Sequence, residues 1–354
     1  MAARKQKRPV TGGVDTHKAT HHAAVVDQVG RVLGTEQFDA TGSGYRALLV
    51  WMRRFGDVVK IGVEGTGSYG AGLARYLSGE KITVVEVDRP DRRARRRNGK
   101  SDPLDAISAA LAALSGRADG TPKTRTGPVE AIRVLRTVRA SAVKARTAAL
   151  NELHALVVTA PESLRATLRH LNAVKLVAHC AGFVVDDTRL ANPEHATTVV
   201  LNTLARRIQN LNAEIMQADK QLKNLLTTTA PRLCALPGVG PGVASQMLVT
   251  AGDNPDRLRS EGAFGHLCGV APIPASSGTT NRLRLNRGGD RRANHALYML
   301  VLSRLANHPQ TRAYKQRRTT EGKTTKEIIR CLKRYAAREI HTALQADLAA
   351  LNTP

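Results

Sequence analysis

Short apolar segments with the composition of strands alternate with helical segments between residues 11 and 120. One strand-like segment lies on each side of a turn signal at residues 27–30, and VVKIGVEGTG and KITVVEV follow further along the chain. Between them, SGYRALLVWMRRF and YGAGLARYLSGE have the apolar spacing of helices. Strands and helices in such alternation bury their apolar faces against each other. The pattern therefore predicts a mixed α/β domain over residues 12–125.

Two long helical segments follow this domain. Apolar residues recur every three or four positions in residues 129–158, and a second helical segment covers residues 194–228. They predict a helical middle region, residues 126–229. Its two helices pack either as an antiparallel, coiled-coil-like hairpin or as part of a plain helical bundle, and the apolar spacing favours neither arrangement.

The C-terminal region, residues 230–345, is predicted to be mainly α-helical. It opens with LCALPGVGPGVASQMLVTAGD, which has the pattern of a helix, a glycine-rich turn and a second helix. The turn around Gly238 and Gly240 is similar to a helix-hairpin-helix turn, whose backbone amides at a helix start suit a phosphate group. A tight interhelical turn without a ligand explains the same two glycines equally well.

The charge of the chain predicts a polyanionic partner. There are 54 Lys and Arg residues against 29 Asp and Glu residues, a net charge of +25. Nucleic acid is the first candidate for that partner and an anionic membrane is the second. Only 3% of the residues are aromatic, which favours contacts of Arg and Lys with backbone phosphates over base stacking.

Targeting signals and the spacing of the cysteines indicate in which cellular compartment a protein resides. No apolar run is long enough for a membrane span, so no membrane partner is retained. Residues 1–11 are basic but lack the apolar core of a secretory signal, so we expect a disordered arm there. The four cysteines are far apart and match no zinc or disulfide pattern, which fits a reducing cytoplasm.

Four acidic residues of the α/β domain form the first candidate site: Asp15 in the first strand, Glu64 at the end of a later strand, and Asp102 and Asp105 at a helix start. Hard oxygen ligands suit Mg²⁺ or Mn²⁺, and such ions can clamp a phosphodiester during strand cleavage. The alternative for the last two is capping, with Asp102 as the N-cap, Pro103 at the first helical position and Asp105 in a capping box. We favour the metal site, and Asp102 can serve both roles with its two oxygens.

A second candidate site lies in the segment APIPASSGTTNRLRLNRGGDRR. Ser276 and Ser277 precede Gly278 in a loop. Five arginines of the kind that bind phosphate oxygens follow: Arg282, Arg284, Arg287, Arg291 and Arg292. The segment is either a solvated polar loop or a serine nucleophile in a phosphate-binding pocket. A serine hydroxyl is a weak nucleophile without a base or a metal, so the residues alone do not decide.

A run of basic residues, RRARRRNGK at positions 92–100, directly precedes Asp102. Such runs are ordinarily solvated loops. Its place beside the candidate acidic site favours a contact with nucleic acid, and the residues that would make it are Arg92, Arg93, Arg95, Arg96 and Arg97.

The acids, in the order D…E…D-x-x-D, resemble the DEDD tetrad of a RuvC-like, RNase H-type domain. The other motifs of this resemblance are GVDTHK, EGTGSYG, KSDPLDA, LPGVGPGVAS and CGVAPIPASSGTTNRLRLNRGGDRRANHALY. With them the chain resembles, over nearly its whole length, the bacterial insertion-sequence transposases of the family numbered one hundred and ten, which are related to the Piv-type DNA invertases. The resemblance implies a RuvC-like fold for the α/β domain and magnesium binding by its four acids.

The resemblance also implies a mechanism and partners. In this family a serine of the C-terminal loop is taken to attack the DNA backbone and form a phosphoserine link; that role falls on Ser277, with Ser276 as the close alternative. A structured RNA encoded by the element, the bridge RNA, would pair with donor and target DNA. The family implies dimers or tetramers in which the acids of one subunit meet the serine of another. We therefore expect a transposase that cuts and rejoins double-stranded DNA at the bacterial nucleoid.

Two other functions fit the same residues. The first is a metal-dependent nuclease, similar to a junction resolvase, in which the serine forms no covalent link to DNA. The second is a non-catalytic nucleic-acid-binding protein whose acidic site has decayed. A covalent protein–DNA adduct would exclude the first alternative, and metal-dependent strand cleavage would exclude the second.

Overall fold

The computed structural model describes residues 8–87, 101–253 and 258–351. These residues form two compact units. The described parts of Met1–Thr126 and Gly252–Arg259 make up the first unit, and those of Gly127–Ala251 and Ser260–Pro354 make up the second. The first unit contains the sheet, and the second is mainly helical.

The first unit is built on a five-stranded mixed sheet. Its strands are β1 (Pro9–Thr16), β2 (Thr20–Val26), β3 (Val32–Asp39), β4 (Asp57–Glu64) and β5 (Thr83–Val87). The order across the sheet is β3–β2–β1–β4–β5, with β1, β2 and β3 antiparallel and β1, β4 and β5 parallel. The α/β character predicted from the alternation of segments is confirmed, and the sheet is consistent with a DEDD nuclease-like domain.

Helices cover both faces of this sheet. The first two are α1 (Gly42–Met52) and α2 (Ala71–Gly79), and the third is α3 (Asp102–Leu114). Side chains of α1 and α2 form a hydrophobic core with one face of the sheet, in which Trp51 and Met52 are buried. Helix α3 packs on strands β1, β2 and β4 through small residues, mostly alanines.

Two glycines let helix α3 lie directly on the sheet backbone. A Cβ atom at Gly13 would lie 2.2 Å from both the carbonyl oxygen of Ala106 and the amide nitrogen of Ala110. A Cβ atom at Gly62 would lie 2.5 Å from the carbonyl oxygen of Ala109. No side chain fits in that space, because the backbone of the helix already occupies it. The contact brings the first turn of α3 close to the ends of β1 and β4.

This contact predicts a loss of stability when a methyl group is added. Gly13→Ala is expected to lower the free energy of unfolding of the first unit by about 1–3 kcal/mol, because helix α3 must shift away from the sheet. Urea unfolding followed by the fluorescence of Trp51, the single tryptophan of the chain, would measure the change. Gly42→Ala is the control, since a Cβ atom there meets nothing within 4 Å. Equal midpoints for the two variants would contradict the prediction.

The first unit departs from the sequence prediction in two places. The segment before the turn at residues 27–30 forms two strands rather than one, joined by a turn in which the His17 amide donates to the Thr20 carbonyl over 3.0 Å. No glycine or proline marks this turn, so the sequence pattern missed it. Strand β1 begins at Pro9, so residues 9–11 pair in the sheet and do not belong to a disordered arm. Residues 1–7 of the predicted arm lie outside the described residues.

Two long antiparallel helices, α4 (Gly127–Thr159) and α7 (Pro193–Thr229), dominate the first part of the second unit. Two short helices lie between them in the chain: α5 (Glu162–Leu168) and α6 (Ala173–Ala181). Arg139 Nε donates to Asp219 Oδ1 over 2.6 Å, and Arg146 Nη1 donates to Asn212 Oδ1 over 3.2 Å. Because the partners move down the second helix as they move up the first, the two helices run in opposite directions. The bounds differ from those predicted by one or two residues.

The rest of the second unit consists of six helices and a short hairpin in the described residues. They are α8 (Pro231–Ala235), α9 (Pro241–Ala251), α10 (Glu261–Leu267), strands β6 (Ile273–Pro274) and β7 (Leu283–Arg284), α11 (Arg291–Asn307), α12 (Pro309–Thr320) and α13 (Thr325–Leu351). Helix α9 packs against α4 and α7, so the predicted middle and C-terminal regions form one compact unit. None of the described helices combines the length and apolar composition that a membrane span requires.

Candidate active site

The first candidate site lies where strand β1 ends and helix α3 begins. Asp15 is two residues after Gly13 in β1, so its side chain is on the face of the sheet that helix α3 covers. It is buried, with 7% of its surface exposed. The antiparallel register of β1 and β2 places His22 directly opposite Asp15. The start of α3 therefore faces an acid and a histidine from two neighbouring strands.

Glu64 reaches the same face from the next strand. It is the last residue of β4 and lies two residues after Gly62, which faces α3. The parallel register pairs β4 with β1 up to this end of the sheet, and Thr16 Oγ1 donates to the Glu64 carbonyl oxygen over 2.8 Å. The side chain of Glu64 is half-buried. The adjacent ends of the two strands thus hold two of the four predicted acids.

The predicted capping role of Asp102 is wrong. Ser101 is the N-cap residue of α3, with φ −149° and ψ 151°, and Asp102 and Pro103 are the first two helical residues. Asp105 is consequently one position too far along the helix for a capping box. The carboxylate of Asp102 lies beside two imidazoles instead: Oδ1 is 3.4 Å from His17 Nε2, and Oδ2 is 3.7 Å from His22 Nε2.

His17 joins Asp15 and Asp102 in one cluster. The ligand atoms of these three residues lie within 4.8 Å of one another, and no other such group is found within the described parts of the chain. His17 Nε2 lies 3.2 Å from Asp15 Oδ2. That nitrogen is buried but makes no hydrogen bond of normal geometry. His17 was not predicted as a site residue; it lies in the turn between β1 and β2, which carries no glycine or proline.

Asp105 lies one turn further along α3 and is buried, with 5% of its surface exposed. Neither Asp105 nor Glu64 belongs to the three-residue cluster. The charge of Asp105 is nevertheless close enough to raise the pKa of Asp15. The structure therefore places the four predicted acids around one end of the sheet, where the charges of Asp105 and Asp102 both act on Asp15.

The environment of Asp15 raises the pKa of its carboxyl group. Burial is the largest cause, and the negative charges of Asp105 and Asp102 add to it. The neighbouring His17 acts in the opposite direction and lowers the pKa. Asp15 is therefore a buried carboxylate among like charges, which an additional positive charge would stabilise.

The donor atoms of this cluster fit a divalent metal ion. Carboxylate oxygens suit Mg²⁺ and Mn²⁺, and an imidazole nitrogen is a further ligand that transition metals such as Mn²⁺ accept. The position of His17 is a second indication, because its Nε2 lies 3.2 Å from Asp15 Oδ2 and 3.4 Å from Asp102 Oδ1, close enough for all three side chains to contact one ion. The residues that would hold the ion are Asp15, His17 and Asp102, with Glu64 and Asp105 next to them.

The second candidate site is a β-hairpin in the second unit. Strands β6 and β7 pair at its root, and Ser277 and Thr280 pair near its tip, each amide donating to the carbonyl of the other over 3.2 and 3.0 Å. Between them Gly278 has φ +55°, and Thr279 has no positive φ. A two-residue turn of this kind with glycine first is a type II′ turn. The serine loop predicted from the sequence is thus an ordered hairpin.

The two serines differ in their surroundings. Ser276 Oγ accepts a hydrogen bond from the Arg282 amide over 3.1 Å and lies 3.0 Å from Asn281 Oδ1. Its hydroxyl therefore holds the two strands of the hairpin together. Ser277 is exposed at the tip, and its hydroxyl has no hydrogen-bond partner among the described residues. The Ser277 hydroxyl is therefore accessible to a substrate, whereas the Ser276 hydroxyl stabilises the hairpin.

The five arginines predicted to bind nucleic acid follow the serines into the start of α11. All are exposed, and none forms an ion pair with an acid of the described chain. Arg284 lies in β7, and Asp290 is the N-cap of α11. Asp290 Oδ1 accepts hydrogen bonds from the backbone amides of Arg292 and Ala293, so this carboxylate caps the N-terminus of the helix. The guanidinium groups are free to contact an external anion.

The glycine-rich turn lies between helices α8 and α9, as the sequence predicts. Gly238 has φ +76°, and a Cβ atom there would lie 3.2 Å from Arg304 and from Leu300 of helix α11. This glycine is needed for packing. A Cβ atom at Gly240 meets nothing within 4 Å, so Gly240 faces open space at the start of α9. The predicted arginine run of residues 92–100 lies outside the described residues.

Two family models match the chain. One is described as Transposase and matches residues 12–160; the other is described as Transposase IS116/IS110/IS902 family and matches residues 217–316. Between them they contain both the acidic cluster and the serine hairpin. The chain belongs to the IS110 family of transposases.

Curated relatives cover parts of the chain. An uncharacterized 42 kDa protein of insertion element IS900 from Mycobacterium paratuberculosis is 29% identical over 142 residues, 39% of this chain and 35% of the relative. An uncharacterized 43.6 kDa protein of insertion element IS110 from Streptomyces coelicolor is 29% identical over 136 residues, 37% and 33% of the two chains. The transposase for insertion sequence element IS1328 from Yersinia enterocolitica is 28% identical over 180 residues, 49% of each chain. The chain thus spans a third to a half of the length of these relatives.

Asp15 provides a test of the acidic cluster that needs no DNA. Its pKa is raised in the folded protein, so this carboxyl contributes stability at low pH that is lost as the pH rises through its folded pKa. Asp15→Asn is therefore expected to raise the melting temperature of the metal-free IS110-family chain at neutral pH. The gain should shrink as the pH falls through this raised pKa, below which the wild-type carboxyl is also neutral.

The same variant should respond less to metal. A ligand that binds only the folded state at about 100 times its Kd stabilises that state by about 2.7 kcal/mol, and Asp15→Asn should lose most of this effect with MnCl₂. Differential scanning calorimetry with and without the metal measures both results. Asp39→Asn, an exposed acid of the same sheet, is the control. A metal-free Asp15→Asn protein that melts below the wild type at neutral pH would contradict the electrostatic argument.

Proposed function

We propose that this chain is a DNA transposase that cuts and rejoins strands to move an insertion sequence. The observation that carries the proposal is that Asp15, from a strand end, and Asp102, from a helix start, meet His17 in one cluster of possible metal ligands. Family membership adds the expectation of DNA strand chemistry. The net charge of +25 supports a polyanionic substrate.

The acidic cluster would act on the phosphate at the cleavage site. A divalent ion there, Mg²⁺ or Mn²⁺, would supply positive charge to the phosphate oxygens during the reaction. Asp15, His17 and Asp102 would hold the ion, and Glu64 and Asp105 would orient groups around it. Helix α3 holds Asp102 and Asp105 in fixed positions, because it lies directly on the glycines of the sheet.

Ser277 would be the nucleophile. Its accessible hydroxyl could attack a phosphorus atom. An Oγ–P bond would form, the bond from phosphorus to one strand oxygen would break, and that leaving oxygen would take up the proton that Oγ releases. The II′ turn presents Ser277 at the tip, and the exposed arginines that follow it would hold phosphate oxygens and stabilise the charge that develops on them. Ser276 is less suitable, because its hydroxyl bonds the Arg282 amide.

The proposed partners are double-stranded DNA, as donor and target, and a structured guide RNA. The guide RNA rests on the family resemblance. A guide RNA fits a chain that has many cationic and few aromatic side chains. Base pairing with the RNA would recognise the DNA sequence, while the protein would bind the nucleic-acid backbones. Dimers or tetramers that bring the acids of one subunit to the serine of another rest on the same resemblance.

The experiment is a strand-exchange assay on the full chain, purified with its co-purifying RNA, which is then sequenced. Labelled DNA carrying the element ends would be incubated with and without MgCl₂ and separated on a denaturing gel. The proposal requires joined products that depend on the metal and a species that protease treatment releases from the protein. Cleavage without any adduct would support the metal-dependent nuclease instead, and no cleavage under any condition would support the non-catalytic binding protein.

A further inference from the structure

A cavity of about 520 Å³ opens at the root of the serine hairpin. It is lined by residues 269–272 before the hairpin, by residues 285–287 and Asn294 after it, and by residues 330, 331 and 333–335 of helix α13. Its volume is within the range of small-molecule sites, roughly 300–1,000 Å³. Strand β6 directly follows the lining residue Pro272, and strand β7 directly precedes the lining residue Leu285. A molecule in the cavity would therefore lie next to the hairpin that carries Ser277.

The cavity has an excess of positive charge. Arg287, Arg330 and Lys333 line it, and no carboxylate does. Arg287 and Arg330 are exposed and form no ion pair within the part of the chain that the structure describes. A fourth cation, Arg334, is paired with Glu261 and leaves no charge for a ligand. Arg287, Arg330 and Lys333 line the cavity with positive charge, which favours an anionic ligand.

The environment of Lys333 also favours an anionic ligand. Its Nζ donates to the neutral amide oxygen of Asn294 over 2.8 Å, and the side chain is half-buried. Burial lowers the pKa of Lys333, and the positive charge of Arg330 lowers it further. A phosphate group beside Lys333 would act in the opposite direction and raise the pKa, because an opposite charge favours the charged form.

The remaining wall of the cavity is apolar. Val270, Ala271 and Pro272 form one part of it, and Leu285 and Tyr335 form another. Leu285 is 52% exposed and Tyr335 is 47% exposed, so apolar surface is available to a ligand. A tyrosine ring and a leucine side chain fit the flat face of a nucleobase, which stacks on aromatic groups regardless of sequence.

We propose that this cavity binds one unpaired nucleotide of a nucleic-acid strand, with its phosphate at Arg287, Arg330 and Lys333 and its base against Leu285 and Tyr335. The inference rests on the proposed function in taking nucleic acid as the partner, and adds to it a specific site. Helix α13, which supplies two of the cations and the tyrosine, lies beyond the stretch 217–316 matched by the family model.

Cysteine labelling tests the site directly. Cys331 lines the cavity and is half-buried, and Cys234 is half-buried elsewhere in the same unit. The full chain would be alkylated with a maleimide in the presence of a thymidine tetranucleotide, a uridine tetranucleotide or inorganic phosphate, and each cysteine followed by peptide mass spectrometry. Slower labelling of Cys331 alone, with either tetranucleotide, supports the proposal and identifies DNA or RNA as the source. No protection, or equal protection by phosphate, overturns it.

A matched pair of variants gives a second measurement. Arg330→Ala should weaken binding of the tetranucleotide about tenfold, the effect of losing one charge-assisted contact of about 1.4 kcal/mol. Arg312→Ala removes the same charge from an exposed arginine of helix α12 outside the cavity and should change affinity little. Equal losses for both variants would overturn the site. Protection of Cys331 by a tetranucleotide in a protein that never cleaves DNA would retain the cavity and reject the transposase chemistry.

Discussion

Asp102→Asn is expected to reduce DNA strand cleavage by about a thousandfold or more while leaving DNA binding nearly unchanged. The carboxylate lies 3.4 Å from His17 Nε2, in the cluster suited to a divalent ion. Losing a metal ligand removes several kcal/mol of transition-state stabilisation, and each 1.36 kcal/mol is a factor of ten in rate. We expect binding to depend on arginine–phosphate contacts, which the substitution does not touch. Single-turnover cleavage and filter binding measure the two quantities.

A matched control separates chemistry from folding. Asp39→Asn changes an exposed acid of the same sheet and should cleave at the wild-type rate. Asp102 also lies beside His17 and His22, so the melting temperature of Asp102→Asn should be measured alongside its rate. Cleavage within a fewfold of the wild type by a folded Asp102→Asn protein would mean that this acid only orients the two histidines.

Ser277→Ala should eliminate the covalent protein–DNA species and stop recombination. Alanine offers no atom that can bond to phosphorus, so the loss should be complete to the limit of detection. The fold should survive, because Ser277 is exposed and its hydroxyl has no partner in the described chain. A denaturing gel of the protease-sensitive adduct, with circular dichroism of the same sample, provides both readouts.

Ser276→Ala is the control for the neighbouring residue. It removes the hydroxyl that accepts from the Arg282 amide, a hydrogen bond worth about 1 kcal/mol, so the hairpin should loosen and activity should fall only partly. A more severe effect of Ser276→Ala than of Ser277→Ala on the adduct would assign the attack to Ser276. If both variants recombine normally, the serine mechanism is excluded and the metal-dependent nuclease becomes the better description.

The apolar periodicity of the sequence predicted the long helices of this chain better than it predicted the contacts between its helices and strands. The long helices were expected at residues 129–158 and 194–228, and they run from Gly127 to Thr159 and from Pro193 to Thr229. Apolar spacing over many turns determines such helices locally. The hairpin of the serine loop was missed, because its strands have two residues each and show no alternation that a pattern can detect.

The candidate site depends on contacts between distant residues, and this limited its prediction. Asp15 and Asp102 were found because their residue types suit metal chemistry, whereas no histidine was among the predicted ligands. His22 is recognisable only from the register that sets it opposite Asp15, and His17 only from the turn that joins the two strands. The N-cap was misplaced by one residue, since Ser101 and Asp102 are both good capping residues.

The direct contact of helix α3 with Gly13 and Gly62 has a consequence for the timing of the reaction. No layer of side chains separates the helix from the sheet, so few rotamers are available through which the acids could drift apart. Moving Asp102 away from Asp15 would require sliding one backbone over another. We therefore expect the acidic cluster to have its geometry before nucleic acid binds, so that no movement of helix α3 on the sheet need precede cleavage.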